Sequence, residues 1–104
     1  MKRRVAVLIS GSGSNLQALI DAAAENDYPA EIVLVIANKP GAFGLQRAEQ
    51  AGIAQLTINH RDYEDRPDFE AALDDALRSA GVEIICLAGF MRVLTADFVN
   101  RWQG

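Results

Sequence analysis

Four short apolar runs alternate along the chain with stretches in which apolar residues return every three or four positions. The runs are Val5 to Ile9 ("VAVLI"), Ile32 to Ala37 ("IVLVIA"), Ile53 to Ile58 and Glu83 to Ala88. Each is short and mostly β-branched or aliphatic, the pattern of strands buried on both faces. Between them, Leu16, Leu19, Ile20 and Ala23 share one face of a first helix. Phe43, Leu45, Ala48 and Ala51 suit the inner face of a second, which stops at Gly52. A third is predicted to start at Pro67, to turn Phe69, Leu73, Ala76, Leu77 and Ala80 inward, and to end at Gly81. After the fourth strand, "TADFVNRWQG" opens a further helix with Phe98, Val99 and Trp102 on one side.

Four strand–helix alternations predict an α/β fold: a Rossmann-like parallel sheet with right-handed crossovers, in a single domain over residues 1–104. In such a doubly wound sheet the first and fourth strands are neighbours at the switch point, and ligands bind beyond their carboxyl ends. Two loops should therefore converge there, "GSGSN" after the first strand and "GFMRVL" after the fourth.

Composition narrows the field. Half of the residues are hydrophobic and 23% charged, which is globular rather than disordered. A net charge of −4 disfavours nucleic acid as a partner, and "KRR" at residues 2–4 reads as a solvated lead-in to the first strand. No apolar run approaches the roughly 20 residues of a membrane span, and the apolar part of "MKRRVAVLIS" is too short and lacks the cleavage site of a secretory signal. The single cysteine, Cys86, reads as a buried thiol in a reducing cytoplasm. No Cys or second His stands at metal-ligand spacing from His60, so no metal is expected, and His60 reads as a solvated loop residue.

The glycine loop carries the sharpest chemistry. Gly11 and Gly13 permit a tight, positive-φ backbone and close ligand approach, while Ser14 and Asn15 sit at the mouth of a helix whose free amides favour an anion. The plainer alternative is an N-cap and turn. The dinucleotide fingerprint fails because Leu16 stands where its third glycine belongs and Asn38-Lys39 where an acidic ribose ligand would be. The P-loop pattern is absent as well. A phosphate monoester on a small metabolite remains. "GFMRVL" offers an apolar wall with one planar cation, Arg92, suited to a flat ligand bearing a carboxylate or carbonyl; packing beneath the following helix would account for it equally well. Arg66 either enters a helix or reaches a ligand carboxylate.

Taken together, "VLISGSGSNLQALI", "NKPGAFGLQRAEQAGI" and "LAGFMRVLTADFV", in this order, resemble the phosphoribosylglycinamide formyltransferase family along the whole chain. The resemblance implies an α/β fold with helices on both sheet faces and transfer of a formyl group from 10-formyltetrahydrofolate, a co-substrate, to glycinamide ribonucleotide in purine biosynthesis. By position, Gly13, Ser14 and Asn15 would hold the ribonucleotide phosphate, and Arg66, Met91, Arg92, Val93 and Leu94 would line the folate site. The family's catalytic Asn and His belong to an N-x-H-P-S motif that comes after this region, and its catalytic Asp lies further on. None falls within residues 1–104, so the chain corresponds to the substrate-recognition half, expected to be inactive alone and either to self-associate through its fourth strand or to pair with the catalytic half. The alternatives are a 10-formyltetrahydrofolate hydrolase, disfavoured by the phosphate loop, and a stand-alone phosphate-binding module.

Overall fold

Helices on the two faces of a four-stranded parallel sheet make up the fold in the computed structural model. It describes residues 3–11, 14–25, 29–38, 41–59, 62–63 and 66–88, leaving aside the side chains at 14, 15, 66 and 67. In chain order the elements are β1 (Arg3–Ile9), α1 (Ser14–Ala23), β2 (Ala30–Ala37), α2 (Phe43–Gln50), β3 (Ala54–Thr57), α3 (Arg66–Ser79) and β4 (Ile84–Leu87). The strands lie in the order β3-β2-β1-β4, with every pairing parallel. The chain thus steps outward from β1 through β2 to β3, then crosses back to place β4 on the other side of β1. With crossovers of one hand, that reversal moves the connecting helix to the opposite face. Leu16, Leu19, Leu45 and Ala48 of α1 and α2 accordingly pack with Val5, Val7 and Ile9 on one face. Phe69, Leu73 and Leu77 of α3 pack with Ala6 and Leu8 on the other. β1 is the spine of both cores, and each aliphatic side chain it buries is worth about 1.5–3 kcal/mol.

The predicted elements all form among the described residues, and their ends move outward or inward by one or two residues. β1 and β2 extend two residues earlier, to Arg3 and Ala30, and the pairing Arg3↔Ala30 is extended by the Arg3 amide donating to the Pro29 carbonyl at 2.9 Å. The register of β2 slips once: Val5 pairs with Ile32 but Ala6 with Leu34, so that Val33 has no partner in β1 and joins Leu34 on the α3 side. Arg66 rather than Pro67 is the first residue of α3.

Both glycines predicted to end helices do so in the left-handed region, Gly52 at φ 73° and Gly81 at φ 69°. After α2 the Gly52 amide donates to the Glu49 carbonyl and the Ile53 amide to the Ala48 carbonyl; after α3 the Gly81 amide donates to Arg78 and the Val82 amide to Leu77. This is the two-bond Schellman ending, which needs the positive φ that glycine adopts without a Cβ penalty. Arg4 closes α3 further, donating from Nη2 to the Ala80 carbonyl at 2.7 Å.

Three expectations require correction. Burial on both faces holds for β1, but all four residues of β3 are exposed and β4 is only partly covered, with Leu87 58% exposed. These two strands flank the sheet, where each has one strand neighbour among the described residues. Phe43 and Ala51 do not face the core: Phe43 is 52% exposed and lies against Arg47, and Ala51 is exposed at the C-cap of α2. Cys86 is only half-buried, because it sits on β4 at the margin of the α1-side core.

Candidate functional site

The carboxyl ends of β1, β2 and β4 are pinned side by side. The Ala88 amide donates to the Leu8 carbonyl at 3.0 Å, and the Asn38 amide donates to the Ile9 carbonyl at 3.2 Å. The chain leaves the sheet at neighbouring points after each strand, as a switch point between β1 and β4 requires. Ser10 and Asn38, both polar, are each only 2% exposed at this edge. Their burial is not apparent from the sequence, because polar residues just past a strand ordinarily read as loop; each has an interaction within the fold, while among the described residues Asn38 Oδ1 is buried without a hydrogen bond.

α1 begins at Ser14, three residues beyond Gly11, and its first turn carries no acidic side chain. Ser14 and Asn15 therefore contribute backbone at the positive end of a helix dipole that no carboxylate of its own first turn offsets. Gly11 is not in the left-handed region, contrary to the expectation of positive φ. Among the described residues a Cβ built on it would meet nothing within 4 Å, so neither local strain nor packing against them demands glycine at this position. Open space over a backbone at a helix mouth is what a ligand pressed close to that backbone uses.

The geometry also brings in α2, whose sequence pattern suggests packing alone. The Gly44 amide donates to the Gly11 carbonyl at 3.1 Å. One turn later, Arg47 Nη1 donates to Gln17 Oε1 at 3.3 Å in a part-buried contact, and the same guanidinium lies 5.1 Å from the centre of the Phe43 ring. The one signal for this in the sequence is the charged Arg47 within the otherwise uncharged "FGLQRA".

Of the residues expected to bind ligand, Ser14 and Asn15 are the first two residues of α1 and Arg66 the first of α3. In a parallel sheet the helix following a strand begins at that strand's carboxyl side, so both helix mouths open on the edge where β4 ends. Gly13, His60, Met91, Arg92, Val93 and Leu94, and the side chains of Ser14, Asn15 and Arg66, lie outside the described residues. So does the helix expected after the fourth strand. Among the described residues there is no cluster of three His, Cys, Asp or Glu able to hold a metal ion, and no helix long and apolar enough to cross a membrane. A small apolar pocket bordered by Val5, Leu19, Ile32 and Cys86 lies beneath α1, away from the carboxyl edge.

A family model described as formyl transferase matches residues 3–104. The trifunctional purine biosynthetic protein adenosine-3 of Drosophila melanogaster is 58% identical over 99% of this chain, which covers 8% of that protein. The phosphoribosylglycinamide formyltransferase of Haemophilus influenzae is 44% identical over 98% of the chain, which spans 48% of that enzyme. The crystal structure of phosphoribosylglycinamide formyltransferase from Brucella melitensis superposes with a TM-score of 0.96 at 43% identity, covering all of this chain and 54% of that one.

Proposed function

The chain belongs to the formyl transferase family, and from that membership we propose that it is the ribonucleotide-recognition half of a glycinamide ribonucleotide formyltransferase. The observation supporting this reading is the superposition of the whole chain onto 54% of the B. melitensis enzyme at 43% identity. The carboxyl edge agrees with it: an anion-ready helix mouth at α1 beside the end of β4, as two ligands meeting at a switch point require.

In this reading Gly13, Ser14 and Asn15 take the phosphate of the ribonucleotide, with the α1 amides and dipole supplying the attraction and Gly11 the close approach. Arg66 and Met91 to Leu94 line the site of 10-formyltetrahydrofolate, where Arg92 pairs a planar donor fork with a carbonyl or carboxylate and its neighbours cover the flat ring. The substrate amine attacks the formyl carbon; the new C–N bond forms, the bond from that carbon to the folate nitrogen breaks, and one proton passes from amine to folate. Stabilisation of the tetrahedral oxyanion falls to the family's Asn and His and proton movement to its Asp, none assigned to a residue here. The reaction is that of a cytoplasmic enzyme acting on small molecules, within a longer polypeptide.

The test is mass-spectrometric detection of formylated glycinamide ribonucleotide. The polypeptide carrying this chain together with an N-x-H-P-S segment should form it from 10-formyltetrahydrofolate. The 104 residues alone should not, since loss of even one oxyanion donor costs about 10²–10³ in rate. Folate deformylation that proceeds equally with and without the ribonucleotide would replace transfer with hydrolysis.

A further inference from the structure

The segment "AFGLQR" does more than cover one face of the sheet. Its backbone reaches the start of the glycine loop, through the Gly44 amide on the Gly11 carbonyl at 3.1 Å. One turn further on, its side chain reaches just past the end of that loop, through Arg47 Nη1 on Gln17 Oε1 at 3.3 Å. Gln17 is itself oriented: its Nε2 donates to Asp21 Oδ1 at 3.0 Å, one turn along α1, which leaves its oxygen turned toward the arginine. Arg47 is held from the other side by the Phe43 ring, 5.1 Å from its guanidinium carbon, a cation–π contact that explains why a phenylalanine here is exposed instead of buried.

We propose that Arg47 is a positioning residue for the phosphate loop, with α2 holding Gly11 at the entry to the loop and Gln17 just beyond its exit, so that the two flanks of the loop are fixed before an anion arrives. This rests on residues 11–15 being the phosphate loop. An anion bound by several backbone amides gains from their being pre-set, because any freedom left in the loop must be removed when the ligand arrives. Arg47 does not touch the ligand; it acts through Gln17 and through the seating of α2 on Gly11.

The experiment uses the complete enzyme, with steady-state kinetics for both substrates and inorganic phosphate as a competitive inhibitor. Arg47→Met and Gln17→Ala should each raise the KM for the ribonucleotide and the inhibition constant for phosphate about 5- to 10-fold, the effect of losing one hydrogen bond of this kind. The folate KM should stay within about twofold of the parent's, and the double variant should be no worse than the worse single one, because the two residues serve one contact. Gln17→Ala, at a half-exposed position, keeps the test available if Arg47→Met fails to fold. Phosphate that inhibits parent and variants equally would overturn the brace while leaving the loop intact, as would equal loss of affinity for both substrates. A parent enzyme that phosphate does not inhibit at all would remove the loop assignment and the brace with it.

Discussion

Glu83 holds the start of β1 through Arg4, whose backbone amide donates to Glu83 Oε1 at 3.1 Å while the Glu83 amide donates back to the Arg4 carbonyl at 2.8 Å. The other carboxylate oxygen takes the Arg3 guanidinium, also at 3.1 Å. The Arg4 amide is the main reason that the Glu83 pKa lies below its ordinary value of 4.5; some loss of water opposes the shift, and Arg3 adds to it. A carboxyl group whose folded-state pKa is depressed stabilises the fold above its ordinary pKa, and that contribution is lost as pH falls through the folded-state value. Glu83→Gln should therefore lower the thermal midpoint slightly near neutral pH. The gap should close in melts run well below pH 4.5; a gap that is constant across pH would mean that the charge is irrelevant.

Gly11 offers a cleaner test of ligand approach than most glycines. Its φ is outside the left-handed region and no described residue lies within 4 Å of its Cβ position, so Gly11→Ala should leave the thermal midpoint almost unchanged. If the vacant space belongs to the phosphate, the same variant should weaken the ribonucleotide about tenfold or more, by crowding the backbone approach. Unchanged ribonucleotide affinity, read by calorimetry on the complete enzyme, would place the phosphate elsewhere.

Burial differs sharply between a leucine of α3 and one of β3. Leu73 is fully buried on α3, and Leu73→Ala should cost about 2–5 kcal/mol. Leu56 on β3 is 44% exposed, and Leu56→Ala should cost under about 1 kcal/mol. Urea unfolding of both variants ranks them, and a reversed order would contradict the two-faced core built around β1.

Arg92→Ala in the complete enzyme should raise the KM for 10-formyltetrahydrofolate more than that for the ribonucleotide. A charge-assisted hydrogen bond is worth roughly 1.5–3 kcal/mol, which is about tenfold or more. Equal losses would indicate that Arg92 supports the fold.

The architecture was legible wherever period and terminator agreed. Phe69, Leu73 and Leu77 at helical spacing ahead of Gly81 specified α3 and its inner face, and the four apolar runs specified the strands. Exposure was not legible at the flanks, because Ala54 to Thr57 pair in the sheet regardless of what covers them. Nor was the outward turn of Phe43, whose partner Arg47 becomes a neighbour only once the helix exists. For the site, adjacency of the carboxyl ends of β1 and β4 followed from topology alone. The link from Gly44 to Gly11 could not, since it joins backbone atoms whose meeting depends on how α2 docks.

The slip at Val33 gives β2 an uneven tolerance to changes in length. Ile32, Val35 and Ala37 point toward α1 and α2, while Val33, Leu34 and Ile36 point toward α3. A strand one residue shorter at Val33 would still present every other side chain to its present side, in unbroken alternation. Removing a residue anywhere from Val35 onward would invert the parity of the rest of the strand and turn the segment entering Asn38 toward the wrong layer. The supernumerary valine thus adds no length to the pairing: the seven residues Arg3 to Ile9 of β1 stand against the eight residues Ala30 to Ala37 of β2, and the extra one is taken up at the bulge while the far end of β2 keeps its phase at the carboxyl edge.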